Sequence, residues 1–274
     1  MLLGYNTNGF AHHALEDALI ILSEIGYRSV ALTLDYHALN PYDPDVAEQT
    51  RRVAEILHRE KLRCVVETGA RFLLDPRAKH SPTLLDDSSA AQRRLDFLLR
   101  GVDLAATLRA DAFSFWSGAR PAGLSERQAL DRLVDGCRRL LDRAERHEVR
   151  MAFEPEPGMF VDRMDRFAEL HGRLDHPLFG LTLDVGHVHC LGDGSVTGHI
   201  SNWKDCLFNI HIEDMRRGIH DHLEFGRGDM DFPPIFAALR ETGYPFGLHV
   251  ELSRHSHDAV ATARRAYAFL RHLQ

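Results

Sequence analysis

Eight short apolar runs, each followed by a longer stretch of helical periodicity, limit what this chain can fold into more than any other feature. The runs are Leu2–Tyr5, Ser29–Leu34, Arg63–Glu67, Ala112–Phe115, Arg150–Phe153, Gly180–Leu183, Leu207–Ile212 and Gly247–Val250. They are rich in β-branched and aromatic residues and read as strands. Helices are predicted between them at about Ala14–Ile25, Asp45–Arg59, Ala90–Leu108, Ser125–His147, Met164–Leu174, Val196–Trp203 and Pro233–Thr242, with a last one at about His257–Leu273. Leu15, Ala18, Leu19 and Leu22 share one face of the first helix, and Gly26 can end it in a left-handed conformation. Ser125 with Gln128 forms a capping box, and Pro233 suits a first helical turn.

Such alternation implies a parallel sheet. Eight units in 274 residues favour a closed α/β structure, a single (β/α)8 TIM barrel, over an open doubly wound sheet. No G-x-G-x-x-G follows the first strand, so a dinucleotide-binding fold has no support. No linker or composition break divides the chain, and residues 1–274 read as one domain. The long connections Thr68–Ser89 and Glu213–Asp231 are expected to build and cover a site.

In such a barrel the carboxyl ends of the strands meet on one rim, where active sites lie. Four runs here finish in groups that bind divalent metals: Phe-Glu154-Pro-Glu156, Leu-Asp184-Val-Gly-His187, Ile-His211-Ile-Glu213 and Val-Glu251. Pro155 and Pro157 stiffen the segment around Glu154 and remove backbone donors. Glu156 faces the other way and is the weaker candidate. Asp184 offers a hard oxygen at a strand end, with Gly186 letting the chain turn sharply before His187, which supports a ligand or meets substrate. His211 and Glu213 share one face of their strand. This oxygen-and-imidazole set suits one Mn²⁺, Mg²⁺, Co²⁺ or Zn²⁺ ion. Glu154 and Glu251 could flank a substrate carbon, one removing a proton α to a carbonyl and the other returning it on the opposite face. The metal would polarise the carbonyl and stabilise an enediolate.

The series Glu154, Asp184, His187, His211 and Glu251 resembles the motif of the xylose-isomerase-like (β/α)8 superfamily, over nearly the whole chain. That group includes ketose 3-epimerases, inosose-processing enzymes, 3-dehydroshikimate dehydratases and the endonuclease IV fold. In its epimerase branch the resemblance implies one divalent metal held by Glu154, Asp184, His211 and Glu251, with the two glutamates doubling as acid and base. It implies substrate contacts from His187 and from Arg217, which matches a family arginine by position. Two departures stand out. The epimerases carry a further substrate-contacting glutamate where this chain has Phe160. The stretch His220-Asp-His222-Leu-Glu-Phe-Gly226-Arg-Gly228 looks like a zinc-binding stretch of endonuclease IV, with His220 in place of an aspartate. The histidines which that enzyme adds from strands three and four have no counterpart near Glu67 or Trp116, so a trinuclear cluster is incomplete.

Further candidates for substrate contact are Glu67, Trp116 and His222, with Arg71, Lys79, His80 and Arg120 on rim loops and Tyr5, Asn6 and Phe10 after the first strand. Cys190 lies near the site but is read as no ligand. The four cysteines show no C-x-x-C spacing, and no disulfide framework is expected. A net charge of −7 gives no electrostatic footprint for nucleic acid or an anionic membrane. The start of the chain lacks the marks of a signal peptide, and no apolar run nears the roughly 18 residues of a membrane span. The expectation is a cytoplasmic isomerase or epimerase of carbohydrate metabolism, acting on a small carbohydrate-like substrate. A lyase such as a dehydratase is the first alternative, and an endonuclease IV-like phosphodiesterase or a non-catalytic binding barrel the others. Homodimer and homotetramer both stay open as assemblies.

Overall fold

The computed structural model describes residues 1–69 and 71–274. Ten strands and nine α-helices are present among them: β1 (Leu2–Asn6), α1 (Leu15–Ile25), β2 (Ser29–Thr33), α2 (Val46–Glu60), β3 (Arg63–Glu67), α3 (Ser88–Leu108), β4 (Phe113–Phe115), α4 (Glu126–His147), β5 (Met151–Phe153), α5 (Met164–Leu174), β6 (Phe179–Asp184), α6 (Val185–Leu191), α7 (Val196–Asn202), β7 (Leu207–Ile212), β8 (Asp214–Arg216), β9 (Ile219–Leu223), α8 (Phe232–Glu241), β10 (Gly247–Val250) and α9 (Ala259–Leu270). Eight of the strands close into a parallel barrel in the order β1-β10-β7-β6-β5-β4-β3-β2. The single (β/α)8 barrel expected from the alternation is the architecture found. No described helix is long and apolar enough to cross a membrane.

Outward residues of the strands, such as Val30, Val66, Phe115, Phe153, Leu183, Ile212 and Val250, join the helices in one apolar core. An aromatic run from Phe115 through Phe153 to Phe179 and Phe167 fills the layer around β5, with ring centroids 5.2–6.3 Å apart. Inward residues alternate with these. Low in the barrel they are small or polar: Gly4, Ser29, Val65, Ala112, Ala152 and Asn209. The His249 ring also lies there, fully buried, bonded to Ser29 Oγ at 2.9 Å and Asn209 Oδ1 at 2.8 Å. Gly4 and Gly247 make the room for it, since a Cβ on either would come within 2.4 Å of the ring. Above this layer the inward positions turn into chemistry: Thr33, Glu67, Glu154, Asp184, His211 and Glu251.

The Ser125–Gln128 capping box forms as expected. Two features depart from the sequence reading. The connection after β7 holds an antiparallel hairpin, β8–β9. A short helix, α6, also starts directly at Asp184, whose side chain caps it by accepting from the His187 N–H at 2.8 Å. Gly186 therefore makes no sharp turn. It sits inside α6 where a Cβ would lie 2.0 Å from Glu213 Oε1, so the need there is close approach.

Candidate active site

Strands β5, β6, β7 and β10 bring Glu154, Asp184, His211 and Glu251 together at one end of the barrel. A ligand atom from each lies within 4.8 Å of all the others. His211 is central. Its Nδ1 is 3.0 Å from Glu154 Oε1 and 3.0 Å from Glu251 Oε2. Its Nε2 is 2.5 Å from Glu67 Oε1, reaching from β3 across the barrel. The Glu67 carboxylate also accepts from Asn6 Nδ2. Glu67 thus lines the pocket but spends its oxygens on holding His211 and Asn6. We expect Glu67→Gln to weaken divalent-metal affinity about 10- to 100-fold while the fold persists, the usual effect of removing a ligand's orienting partner. Calorimetric titration of the metal would test this, and an unchanged affinity would reduce Glu67 to a pocket wall.

The carboxylates differ in their electrostatics. Burial pushes Glu154 up to about 7, against the pull of His211. Burial also opposes ionisation of Glu251, but His211, His222 and His187 outweigh it and hold that carboxyl well below the usual range. Asp184 is likewise held low by His187 and His222 in spite of burial. Burial works to lower His211, yet Glu67, Glu154 and Glu251 together raise it well above the ordinary imidazole value. The two glutamates that could move a proton are therefore pushed apart, one near neutrality and one firmly ionised.

These residues fit a hard divalent cation. Three carboxylates and one imidazole make the donor set. Asp184 Oδ2 is buried and makes no hydrogen bond, with His187 Nε2 standing 3.3 Å away, and a cation would meet it there. A neighbouring group lies beside it. Asp184, Glu213 and His222 also converge within 4.8 Å, as do His187, His220 and His222. Both Glu213 oxygens are buried and unpartnered, and burial raises that carboxyl well above its usual value, with the Asp184 charge adding to it.

The remaining predicted contacts separate into two sets. Trp116 and His222 line the central pocket, together with Lys79, His80, Glu156 and His220. Trp116 is fixed edge-to-face by His80 and lies against the guanidinium of Arg94 at 4.6 Å. His187 does not reach that pocket. It is buried behind Asp184, its Nε2 3.3 Å from Asp184 Oδ2 and 3.1 Å from His220 Nε2, so His220 stands between it and the opening. Arg217 is exposed at the turn of the β8–β9 hairpin and does not line the pocket. The hairpin, unforeseen in the sequence, carries it away. Phe160 is buried and packs under Arg166.

Sequence reasoning missed three supporting groups. Asn8 donates to Glu251 Oε1 at 2.9 Å. Asn209 links His211 to His249 within the barrel, at 3.1 Å and 2.8 Å. Arg94 is 1% exposed beneath Trp116. The inward parity of Asn209 with His211 was a usable signal, whereas nothing local marks Arg94 in its helix.

A family model described as a xylose isomerase-like TIM barrel matches residues 19–273. The chain belongs to that family. An L-ribulose-5-phosphate 3-epimerase, UlaE, from Salmonella paratyphi C is 26% identical over 113 residues, 41% of this chain and 39% of that protein. An inosose dehydratase from Lacticaseibacillus casei is 28% identical over 138 residues, 44% of this chain and 46% of the relative. The chain thus spans less than half the length of these relatives. Among solved structures, a D-allulose 3-epimerase from Methylomonas sp. superimposes with a TM-score of 0.78 at 17% identity, covering 100% of this chain and 98% of that one. The IolI protein, crystallised with a binding zinc atom, gives 0.78 at 18% identity, covering 98% of each chain. At these identities the likeness is one of fold.

Proposed function

We propose that this chain is a divalent-metal-dependent isomerase or epimerase of a small sugar or polyhydroxy-carbonyl compound. The observation that carries the reading is the convergence of Glu154 and Glu251 on one histidine, each 3.0 Å from His211 Nδ1, within a group that also includes Asp184. Glu154, at the end of β5, is placed to exchange a proton with a substrate carbon. Glu251 stays ionised and is oriented by Asn8. One glutamate takes the proton α to the carbonyl, and the other delivers a proton to the opposite face. Trp116 walls the pocket, and His220, His222 and Glu156 offer hydrogen bonds to hydroxyl groups. Glu154, Asp184, His211 and Glu251 would hold the cation, which supplies Lewis-acid polarisation of the carbonyl when bound. Relatives named as epimerases support the reading.

A dehydratase is the second reading, favoured by the inosose dehydratase relative. It begins with the same proton removal and ends with loss of water. Incubating the metal-loaded protein in deuterated water with a panel of ketoses and keto-inositols separates the two. Epimerisation gives an isomer of the substrate that carries deuterium at one carbon and is heavier by one mass unit. Dehydration yields a product lighter by one water. Absence of both a solvent-derived label and a product lighter by one water would sink both.

A further inference from the structure

The central pocket is small, with a volume of about 180 Å³. Beside it lies a half-open chamber of about 510 Å³, bordered by the segments that follow β1, β2 and β3. The two share Asn8, Thr33 and Arg71 as a common wall. The chamber is of a different character. Phe10, Leu15, Ala18, Phe72, Leu73 and Pro76 give it a largely apolar lining. Its one guanidinium among the described lining residues, Arg71, is paired with Asp35 at 3.4 Å. Two imidazoles, His13 and His37, also line it, but apolar side chains make up most of the lining. At the junction, Asn8 holds Glu251 with its amide nitrogen, while its Oδ1 is buried and has no partner. An unpartnered acceptor at that place is matched by a hydroxyl of a molecule that passes from one space into the other.

The sizes decide the class of occupant. An apolar cavity of roughly 150 Å³ takes one benzene ring. The central pocket therefore suits a body of one small sugar, and the chamber has room for a substituent of two or three rings' volume. Apolar chambers with a few placed polar groups are the usual form of small-molecule sites. Resting on the isomerase reading above, we propose that the substrate is a two-part molecule: a polyhydroxylated carbonyl head that reacts in the polar pocket, and an uncharged apolar or aromatic substituent seated in the chamber. Tyr36 and Phe72, 67% and 51% exposed, then stand at the chamber rim as aromatic surfaces for that substituent.

The test uses the metal-loaded protein and the neutral fluorophore N-phenyl-1-naphthylamine. One molecule per chain is expected to bind, and the fluorescence gain is expected to vanish in Ala38→Phe and in Ala11→Trp, which fill the chamber from the β2 loop and from the segment after β1. 6-O-benzyl-D-fructose is expected to displace the probe at a concentration about 10-fold or more below that of D-fructose, since only the former buries a ring. No probe binding, binding that survives both filled variants, or equal displacement by the two ketoses would each overturn the proposal. These outcomes do not depend on catalysis, so loss of the deuterium label would defeat the isomerase reading without mimicking any of them.

Discussion

Glu251→Gln is expected to lower turnover by about 10²- to 10⁴-fold, the range that general acid–base catalysis contributes. Glu154→Gln is expected to do the same. Each carboxylate contacts His211 Nδ1 at 3.0 Å, and each belongs to the set that would hold the cation. Part of either loss therefore comes from weaker metal binding. Assays at saturating Mn²⁺ or Co²⁺ separate the two contributions: the share that metal restores reports ligation, and the share that persists reports proton transfer. The double variant is expected to be little worse than the poorer single one, as for groups that act as a unit. Full recovery of both variants at high metal would leave the glutamates as ligands with no part in proton transfer.

Asp214→Asn is expected to cost about 3 kcal/mol, and with it roughly 6–12 °C in Tm. This carboxylate is buried at the start of β8 and accepts four backbone N–H groups. They come from Met215 at 2.9 Å, Gly226 at 2.8 Å, Gly228 at 2.9 Å and Met230 at 3.3 Å. Those bonds fold the segment after β9 back onto the hairpin that carries His220 and His222. An asparagine turns an N–H toward donors that need an acceptor. Gly228 belongs to the same device, since a Cβ there would lie 2.2 Å from Asp214 Oδ1. Thermal melts should show the loss, and hydrogen exchange should quicken at residues 224–230. Unchanged exchange in that segment would contradict the role given to Asp214.

The barrel and the four central side chains were legible because both depend on short-range pattern. Strand alternation puts every second residue inside, so Glu154, Asp184, His211 and Glu251 at strand ends had to converge once eight strands closed a ring. What the sequence hid depends on long-range partners. The role of Glu67 turns on His211, 144 residues away. The β8–β9 hairpin is held by Asp214 bonding backbone up to 16 residues on, in a stretch without strand-like alternation. That hairpin removed Arg217 from the pocket. Helix α6 was hidden because its cap, Asp184, reads as a strand-end ligand: Oδ1 caps the helix, while Oδ2 makes no hydrogen bond and lies 3.3 Å from His187 Nε2.

Glu154, Asp184, His211 and Glu251 are proposed to build one metal centre. Elemental analysis of the purified, metal-saturated chain beside its Asp184→Asn variant tests it most directly. One divalent ion per wild-type chain, lost in the variant along with isotope exchange, is the expected result. Two or three ions per chain would point to a multinuclear centre through His187, His220 and His222, and retention of the ion in the variant would contradict the assignment of its ligands.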